Sequence, residues 1–163
     1  MNFPLTIDEI KLEIELTQQS ADHILEKESE LVPVVILYTI TKKGILQKSY
    51  ASIPIIELYT RDVKREYIIR VLKTLKAQLE TEGLELFAIL SINEAYMVDE
   101  SKHPDKNKNV SENPDSIEVV TIQFLSKEKE FSAMTVFKKE NNKLIELQPF
   151  SNNFESIFSR VFE

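Results

Sequence analysis

An almost unbroken apolar run at residues 86–92 sets the strongest limit on how this chain folds. Successive residues of a strand point to opposite faces of its sheet, so a run that is apolar at nearly every position needs cover on both faces. Residues 31–41 repeat the pattern with valine, isoleucine, leucine and tyrosine side chains. We therefore expect both segments to be buried strands of a sheet.

The first helix is predicted near the start of the chain. Thr6 and Glu9 have the spacing of a capping box, in which each side chain accepts a hydrogen bond from the backbone N–H of the other residue. Apolar residues at helical spacing follow as far as about residue 28. Residues 10–16 also alternate as a strand does, but the capping box favours a helix.

A second helix is predicted from Thr60 or Asp62 to the residue before Gly83. Its apolar side chains form one wide face, and lysine and arginine fill the other face. Gly83 is placed to adopt the left-handed backbone conformation that commonly ends a helix. A third helix is predicted over residues 152–162, where phenylalanines need a surface to cover.

Strands are predicted between these helices. Gly44 lies in a hairpin turn, residues 139–142 form another turn, and Pro149 is predicted to end the last strand. The predicted strands cover residues 31–41, 45–53, 84–98, 117–126, 131–138 and 143–148.

The resulting order is α-β-β-α-β-β-β-β-α, which is typical of an α+β fold with helices packed against one sheet. We expect a mixed, mostly antiparallel sheet, because the second helix is long enough for a right-handed crossover between the second and third strands. The length of 163 residues predicts a single domain over residues 1–163. Residues 99–116 form a long polar loop, which predicts a functional or mobile segment.

Composition excludes several classes of site. The chain has no cysteine, which rules out disulfides, thiolate nucleophiles and cysteine-bound zinc. Gly44 and Gly83 are the only glycines, so a phosphate-cradling loop and a dinucleotide fingerprint are excluded as well. No cofactor is expected, and no serine has the flanking glycines of a hydrolase nucleophile elbow.

Acidic residues outnumber basic ones by 27 to 20, which gives a net charge of −7. The densest basic stretch, residues 61–76, spreads its charges around a helix among acidic residues, so nucleic acid is not expected as a partner. The N-terminus lacks the pattern of a signal peptide, and the apolar runs fall short of the ~20 residues that a membrane span needs. We therefore expect a cytoplasmic protein that does not bind a membrane.

Glu94 and Glu118 are the main candidates for chemistry, because each lies where a strand meets the long loop. A partly buried carboxylate has a raised pKa and suits general acid–base catalysis. The alternatives are an ordinary surface carboxylate and a structural one that accepts backbone N–H groups. A metal site is less favoured, because the spacing matches no known motif. Its donors would be Glu94, Asp99, Glu100, His103, Asp105 and Glu118.

Residues 91–97 and 110–118 resemble a pattern in uncharacterised bacterial and phage-associated proteins. In that family a strand ends in serine, glutamate, alanine and tryptophan, and a later serine and proline precede an acidic residue that opens the next strand. The similarity covers residues 32–148, with Asn93 in place of the serine and Tyr96 in place of the tryptophan. The resemblance implies no activity, but it implies that five positions work together. These are Glu94, Tyr96, Ser111, Pro114 and Glu118.

The sequence favours a small binding or accessory protein without catalysis of its own, whose partner is a protein or a small molecule. Self-association into a homodimer is expected, and the phenylalanines of residues 152–162 are one candidate contact. The first alternative is a small hydrolase or metal-assisted enzyme that uses Glu94 and Glu118. The second is an acidic protein that mimics DNA in an anti-restriction role, which the net charge of −7 suggests.

Overall fold

The computed structural model describes residues 3–28, 31, 34–52, 61–105, 107–152 and 156–163. This part of the chain forms two α-helices and one six-stranded sheet, so the predicted α+β class is confirmed. The helices are α1 (Ile7–Glu28) and α2 (Arg61–Thr81). The strands are β1 (Val34–Thr41), β2 (Leu46–Ser52), β3 (Leu84–Met97), β4 (Ile117–Ser126), β5 (Ala133–Glu140) and β6 (Lys143–Ser151).

The order of the described strands in the sheet is β2-β1-β3-β4-β5-β6, and every pairing between them is antiparallel. The predicted mixed sheet is therefore wrong. The reason is that β3 pairs with β1 and not with β2. Strands β2 and β3 do run in the same direction, since both are antiparallel to β1, so the chain still crosses over β1 between them; the right hand of that crossover stays a prediction. This arrangement leaves β2 with a neighbour on one side only, so β2 is an edge strand, as β6 is.

The helix and turn signals of the sequence are confirmed. The Glu9 N–H donates to Thr6 Oγ1 at 3.1 Å, and the Thr6 N–H donates to Glu9 Oε1 at 3.0 Å, which completes the capping box of α1. Gly44 in the first hairpin and Gly83 after α2 have φ values of +82° and +79°. Glycine fits both positions because it has no Cβ to make this conformation costly.

The sheet carries one hydrophobic core on each face. On the first face, which we call the α1 face, Ile10 and Ile14 of α1 pack with Tyr38 of β1. On the opposite face, which we call the α2 face, Leu72 of α2 packs with Leu37 of β1 and with β3. Cover on both faces explains why the inner strands are apolar at nearly every position, as the sequence predicted.

The α-helix predicted over residues 152–162 is wrong. The chain there forms a short 3-10 helix at Ile157–Phe162, and residues 153–155 lie outside the described residues. Aromatic and β-branched residues have low helix propensity, and a short segment does not offset the cost of starting an α-helix. Val161 packs into the core of the α2 face, so this segment does cover the sheet.

The turn before β6 is shorter than predicted. Asn141 and Asn142 have φ values of +52° and +58°, and Glu140 pairs with Lys143 across the turn. A two-residue hairpin turn of this kind needs positive φ at both positions, which asparagine tolerates. Strand β5 therefore extends to Glu140, the residue before the turn, and Lys139 lies in the sheet instead of in a turn.

Candidate functional site

Neighbouring strands change from apolar to charged side chains at one end of the α1 face. The apolar row of β3 gives way to Glu94 and Tyr96, that of β4 to Glu118, and that of β5 to Lys139. The antiparallel register sets Tyr96 directly opposite Glu118. We call these residues, Glu94, Tyr96, Glu118 and Lys139, the Glu94 cluster.

The two carboxylates of the Glu94 cluster share one ammonium group. Lys139 Nζ lies 3.8 Å from Glu94 Oε1 and 3.9 Å from Glu118 Oε2. The Tyr96 hydroxyl donates a hydrogen bond to Glu118 Oε1 at 3.3 Å. The Leu31 N–H donates to Glu94 Oε1 at 3.1 Å. The cluster thus joins β3, β4 and β5 to the connection between α1 and β1.

Burial differs within the Glu94 cluster. The Lys139 side chain is only 14% exposed, whereas both glutamates are more exposed. A lysine stem that lies along the sheet keeps its charged end at the surface, where the two carboxylates meet it. Ion pairs at such distances and exposure contribute little stability each, so the cluster is a loose cross-link.

This geometry gives Glu94 a structural contact. Glu94 Oε1 faces both a backbone N–H and an ammonium group, so this oxygen acts as an acceptor within the protein. A carboxylate that accepts a backbone N–H is one of the alternatives that the sequence leaves open. Its donor, Leu31, belongs to the segment before β1 and not to the long loop.

Two of the predicted site residues lie in the long loop, in and just after a turn that packs against β3. Ser111 is exposed in a 3-10 turn at Val110–Glu112, and Pro114 is exposed just after it. Within the described part of the chain, no hydrogen bond links either residue to the Glu94 cluster. The structure therefore brings Glu94, Tyr96 and Glu118 together and leaves the other two predicted positions in the loop.

Asn113 organises the described part of the long loop. Its Nδ2 donates to the Lys102 carbonyl at 2.8 Å and lies 3.0 Å from His103 Nδ1. The other ring nitrogen of His103 lies 3.0 Å from the Lys108 carbonyl, which makes Nε2 the donor and Nδ1 the acceptor. Both nitrogens are thus engaged within the protein. Among the residues described, no group of three or more metal-ligating side chains is placed to hold an ion.

Sequence reasoning missed a second charged cluster, which lies between α1 and the β1–β2 hairpin. The Tyr38 hydroxyl donates to Glu13 Oε2 at 2.8 Å, and Lys48 Nζ lies 2.6 Å from the same oxygen. Lys48 Nζ also lies 5.6 Å from the centre of the Tyr38 ring. Burial raises the pKa of the Tyr38 hydroxyl, and the hydrogen bond to Glu13 raises it further. We call Glu13, Tyr38 and Lys48 the Glu13 cluster.

One signal for the Glu13 cluster was present in the sequence. Tyr38 falls in a strand that is apolar on both faces, and a buried tyrosine hydroxyl usually needs a hydrogen-bond partner. Glu13 lies beside the apolar stripe of the first helix. The signal shows that an acceptor is needed, but it does not identify the acceptor, because that depends on how α1 crosses the sheet.

The two edges of the sheet differ in how they are protected. On β6 the Leu144 N–H donates to Asp22 Oδ1 at 2.7 Å, and Gln18 Nε2 donates to the Leu144 carbonyl at 3.3 Å. Helix α1 thus covers part of this edge. Pro149 was predicted to end β6, but it lies within the strand, because an edge strand tolerates a residue without an N–H. Both features discourage pairing with another strand.

Among the described residues, strand β2 shows neither of these devices. It pairs with β1 without a register shift, and it contains no proline. The Thr41 N–H donates to the Ile45 carbonyl at 2.9 Å, so these two residues form a hydrogen-bonded pair. In an antiparallel ladder such pairs alternate with pairs whose backbone groups point away from the partner strand. By that alternation the N–H and C=O groups of Lys48 and Tyr50 point away from β1. The Tyr50 side chain is 73% exposed.

No family model, curated protein or solved structure matches this chain. The family resemblance of residues 91–97 and 110–118 therefore stays a prediction. None of the described helices is long and apolar enough to cross a membrane. The geometry of the two clusters and the two sheet edges is thus the basis for assigning a function.

Proposed function

We propose that the protein is a cytoplasmic binding module without catalysis of its own, and that it forms a homodimer through the edge of β2. The observation that carries this proposal is the contrast between the two edges. Strand β6 has a proline and helix side chains against its edge, whereas β2 presents a regular row of backbone groups. An unprotected edge is a template for pairing with another strand.

The sequence of β2 selects one register for pairing with a second copy. Antiparallel pairing with Lys48 opposite Tyr50 of the partner copy matches the outward-pointing groups of both strands. It also sets a cation beside an aromatic ring at two symmetric places. A shift that sets Lys48 opposite its own copy brings like charges together, which is unfavourable. Of these two registers, the pairing of Lys48 with Tyr50 is the preferred one.

The absence of catalysis is supported by the Glu94 cluster. Its carboxylates are engaged with Lys139 and a backbone N–H, and they lie at an exposed end of the sheet. The cysteine-free composition fits a reducing compartment. The DNA-mimic alternative rests on the net charge of −7 and stays a prediction.

The proposal is tested by placing either a positive or a negative charge at position 50. In the Tyr50→Lys variant, lysines from two copies oppose each other twice, and we expect the dimer to weaken about tenfold. In the Tyr50→Glu variant, the new carboxylate faces Lys48 of the partner, and we expect the dimer to persist. The measurement is molar mass by light scattering over a range of protein concentrations.

Position 50 is suitable because its side chain is exposed, so both variants should keep the fold of the monomer. Circular dichroism and thermal unfolding check this. A monomer mass for the unmodified protein at the highest concentration would overturn the proposal. So would a dimer that the lysine variant leaves unchanged, since the contact would then lie elsewhere, for example at the C-terminal phenylalanines.

A further inference from the structure

A shallow groove of about 460 Å³ lies along α2 beside the C-terminal 3-10 helix. It has the volume of a small-molecule site. Its apolar lining residues are Ala77, which is exposed, and Ile69, which is only 3% exposed. Its charged residues are Glu66, Arg70, Lys73 and Arg160. These groups belong to neither charged cluster of the α1 face.

The groove is basic although the chain is acidic. Among the residues that line the groove, Arg70, Lys73 and Arg160 meet a single carboxylate, that of Glu66, whereas the whole chain carries a net charge of −7. Glu163, outside the lining, also acts on Arg160. The groove draws Arg70 and Lys73 from the basic stretch at residues 61–76. A local excess of positive charge attracts anions even where the protein as a whole repels them.

Arg160 is held in a fixed orientation. Its Nη1 donates to Glu66 Oε1 at 2.6 Å and its Nη2 donates to Oε2 at 3.2 Å, which forms a two-pronged ion pair. This hydrogen-bonded pairing lowers the pKa of the Glu66 carboxyl, and the charges of Arg70 and Lys73 lower it further. Glu66 therefore stays ionised and anchors Arg160 at the rim of the groove.

Arg70 and Lys73 are not anchored in this way. In the part of the chain that the structure describes, neither side chain lies within ion-pair distance of a carboxylate. Lys76, three residues further along the helix, does form such a pair, with Glu80 at 3.2 Å. Two cations three residues apart on a helix repel each other, and a bound anion would remove that cost.

We propose that this groove binds a small phosphomonoester whose organic part lies against Ala77. The three cations and one carboxylate leave an excess of two positive charges, which matches a phosphomonoester at neutral pH. Arginine and lysine are the side chains that recognise phosphate, by forked hydrogen bonds and by point charge respectively. The exposed Ala77 side chain supplies contact area that inorganic phosphate cannot use.

The test uses three probes at constant ionic strength and follows backbone amide signals by NMR. Phenyl phosphate carries the dianion and an apolar ring, inorganic phosphate lacks the ring, and benzenesulfonate has the ring with a single charge. We expect saturable binding that is tightest for phenyl phosphate, with the largest shifts at residues 66–77. Arg70→Gln and Lys73→Gln should each weaken that binding about tenfold, because each removes one charge-assisted contact.

Lys76→Gln is the matched control, because it removes the same charge from the same helix outside the groove. It should leave phenyl phosphate binding unchanged. An equal loss of phenyl phosphate affinity in this control would show that the effect comes from the overall charge of the helix, and it would overturn the proposal. Absence of saturable binding, or equal affinity for benzenesulfonate, would overturn it as well. The result is independent of the dimer, since Tyr50 lies on a different element.

Discussion

The Glu13 cluster and the Glu94 cluster contain the same three residue types, glutamate, tyrosine and lysine, yet their geometries differ. In the Glu13 cluster a tyrosine hydroxyl and a lysine both reach one carboxylate, at 2.8 and 2.6 Å. In the Glu94 cluster a single lysine lies 3.8 and 3.9 Å from two carboxylates. One cluster is compact and the other is loose.

Depth in the fold explains this difference. Tyr38 lies under α1 and is fully buried, whereas Tyr96 is 47% exposed at the end of the sheet. A hydrogen bond strengthens where water is excluded, and a buried polar group that loses its partner is costly. The same side chains therefore form a strong cross-link beneath a helix and a weak one at an open end. Three measurements test this comparison.

The largest effect is expected from Glu13→Gln. The change removes the charged acceptor of both Tyr38 and Lys48, and we expect it to lower the free energy of unfolding by about 2 kcal/mol. Urea denaturation at neutral pH measures it. The matched change Glu94→Gln should cost only about 0.5 kcal/mol, because that carboxylate is half exposed. An equal loss of unfolding free energy in the two variants would contradict the difference between the clusters.

The second effect is a loss of stability at alkaline pH. Burial and the hydrogen bond to Glu13 keep the folded-state pKa of Tyr38 above its unfolded value near 10. Above that pH the unfolded chain loses a proton that the folded chain retains, so stability falls as pH rises. At pH 11 the loss is about 1.4 kcal/mol. Denaturation of Tyr38→Phe across the same range should show a smaller slope.

The smallest effects belong to the Glu94 cluster. Lys139→Met keeps a side chain of similar length and leaves two carboxylates facing each other, and we expect a cost of about 1 kcal/mol. Tyr96→Phe removes only an exposed hydrogen bond and should cost less than about 0.5 kcal/mol. Thermal unfolding of both variants ranks them. A larger cost for the tyrosine change would show that Lys139 does not hold this cluster together.

Local signals predicted much of the fold. The capping box at Thr6, the glycines at 44 and 83 and the apolar runs each depend on neighbouring residues, and each was confirmed. The pairing of β3 with β1 was not predicted. A helix of this length allows β3 to return beside either strand of the hairpin, β1 or β2. The order of strands depends on packing across both faces, which a single sequence does not display.

The candidate site was predicted only in part. Glu94, Tyr96 and Glu118 were singled out and do lie together, but the cation between the carboxylates was missed. The sequence predicts Lys139 in a turn, whereas the positive φ values of Asn141 and Asn142 confine the turn to those two residues. The Glu13 cluster joins residues from three elements, and only the crossing of α1 over the sheet determines that contact.

The order of the strands also bears on how fast the chain can fold. All pairings in the sheet join strands that follow each other along the chain, except the pairing of β1 with β3. Local pairings form with little loss of chain entropy, whereas distant ones must first close a long loop. The meander from β3 to β6 can therefore form as one unit and the β1–β2 hairpin as another. Their meeting along β3 is the one long-range closure within the described sheet, in addition to the packing of α1 against β4, β5 and β6.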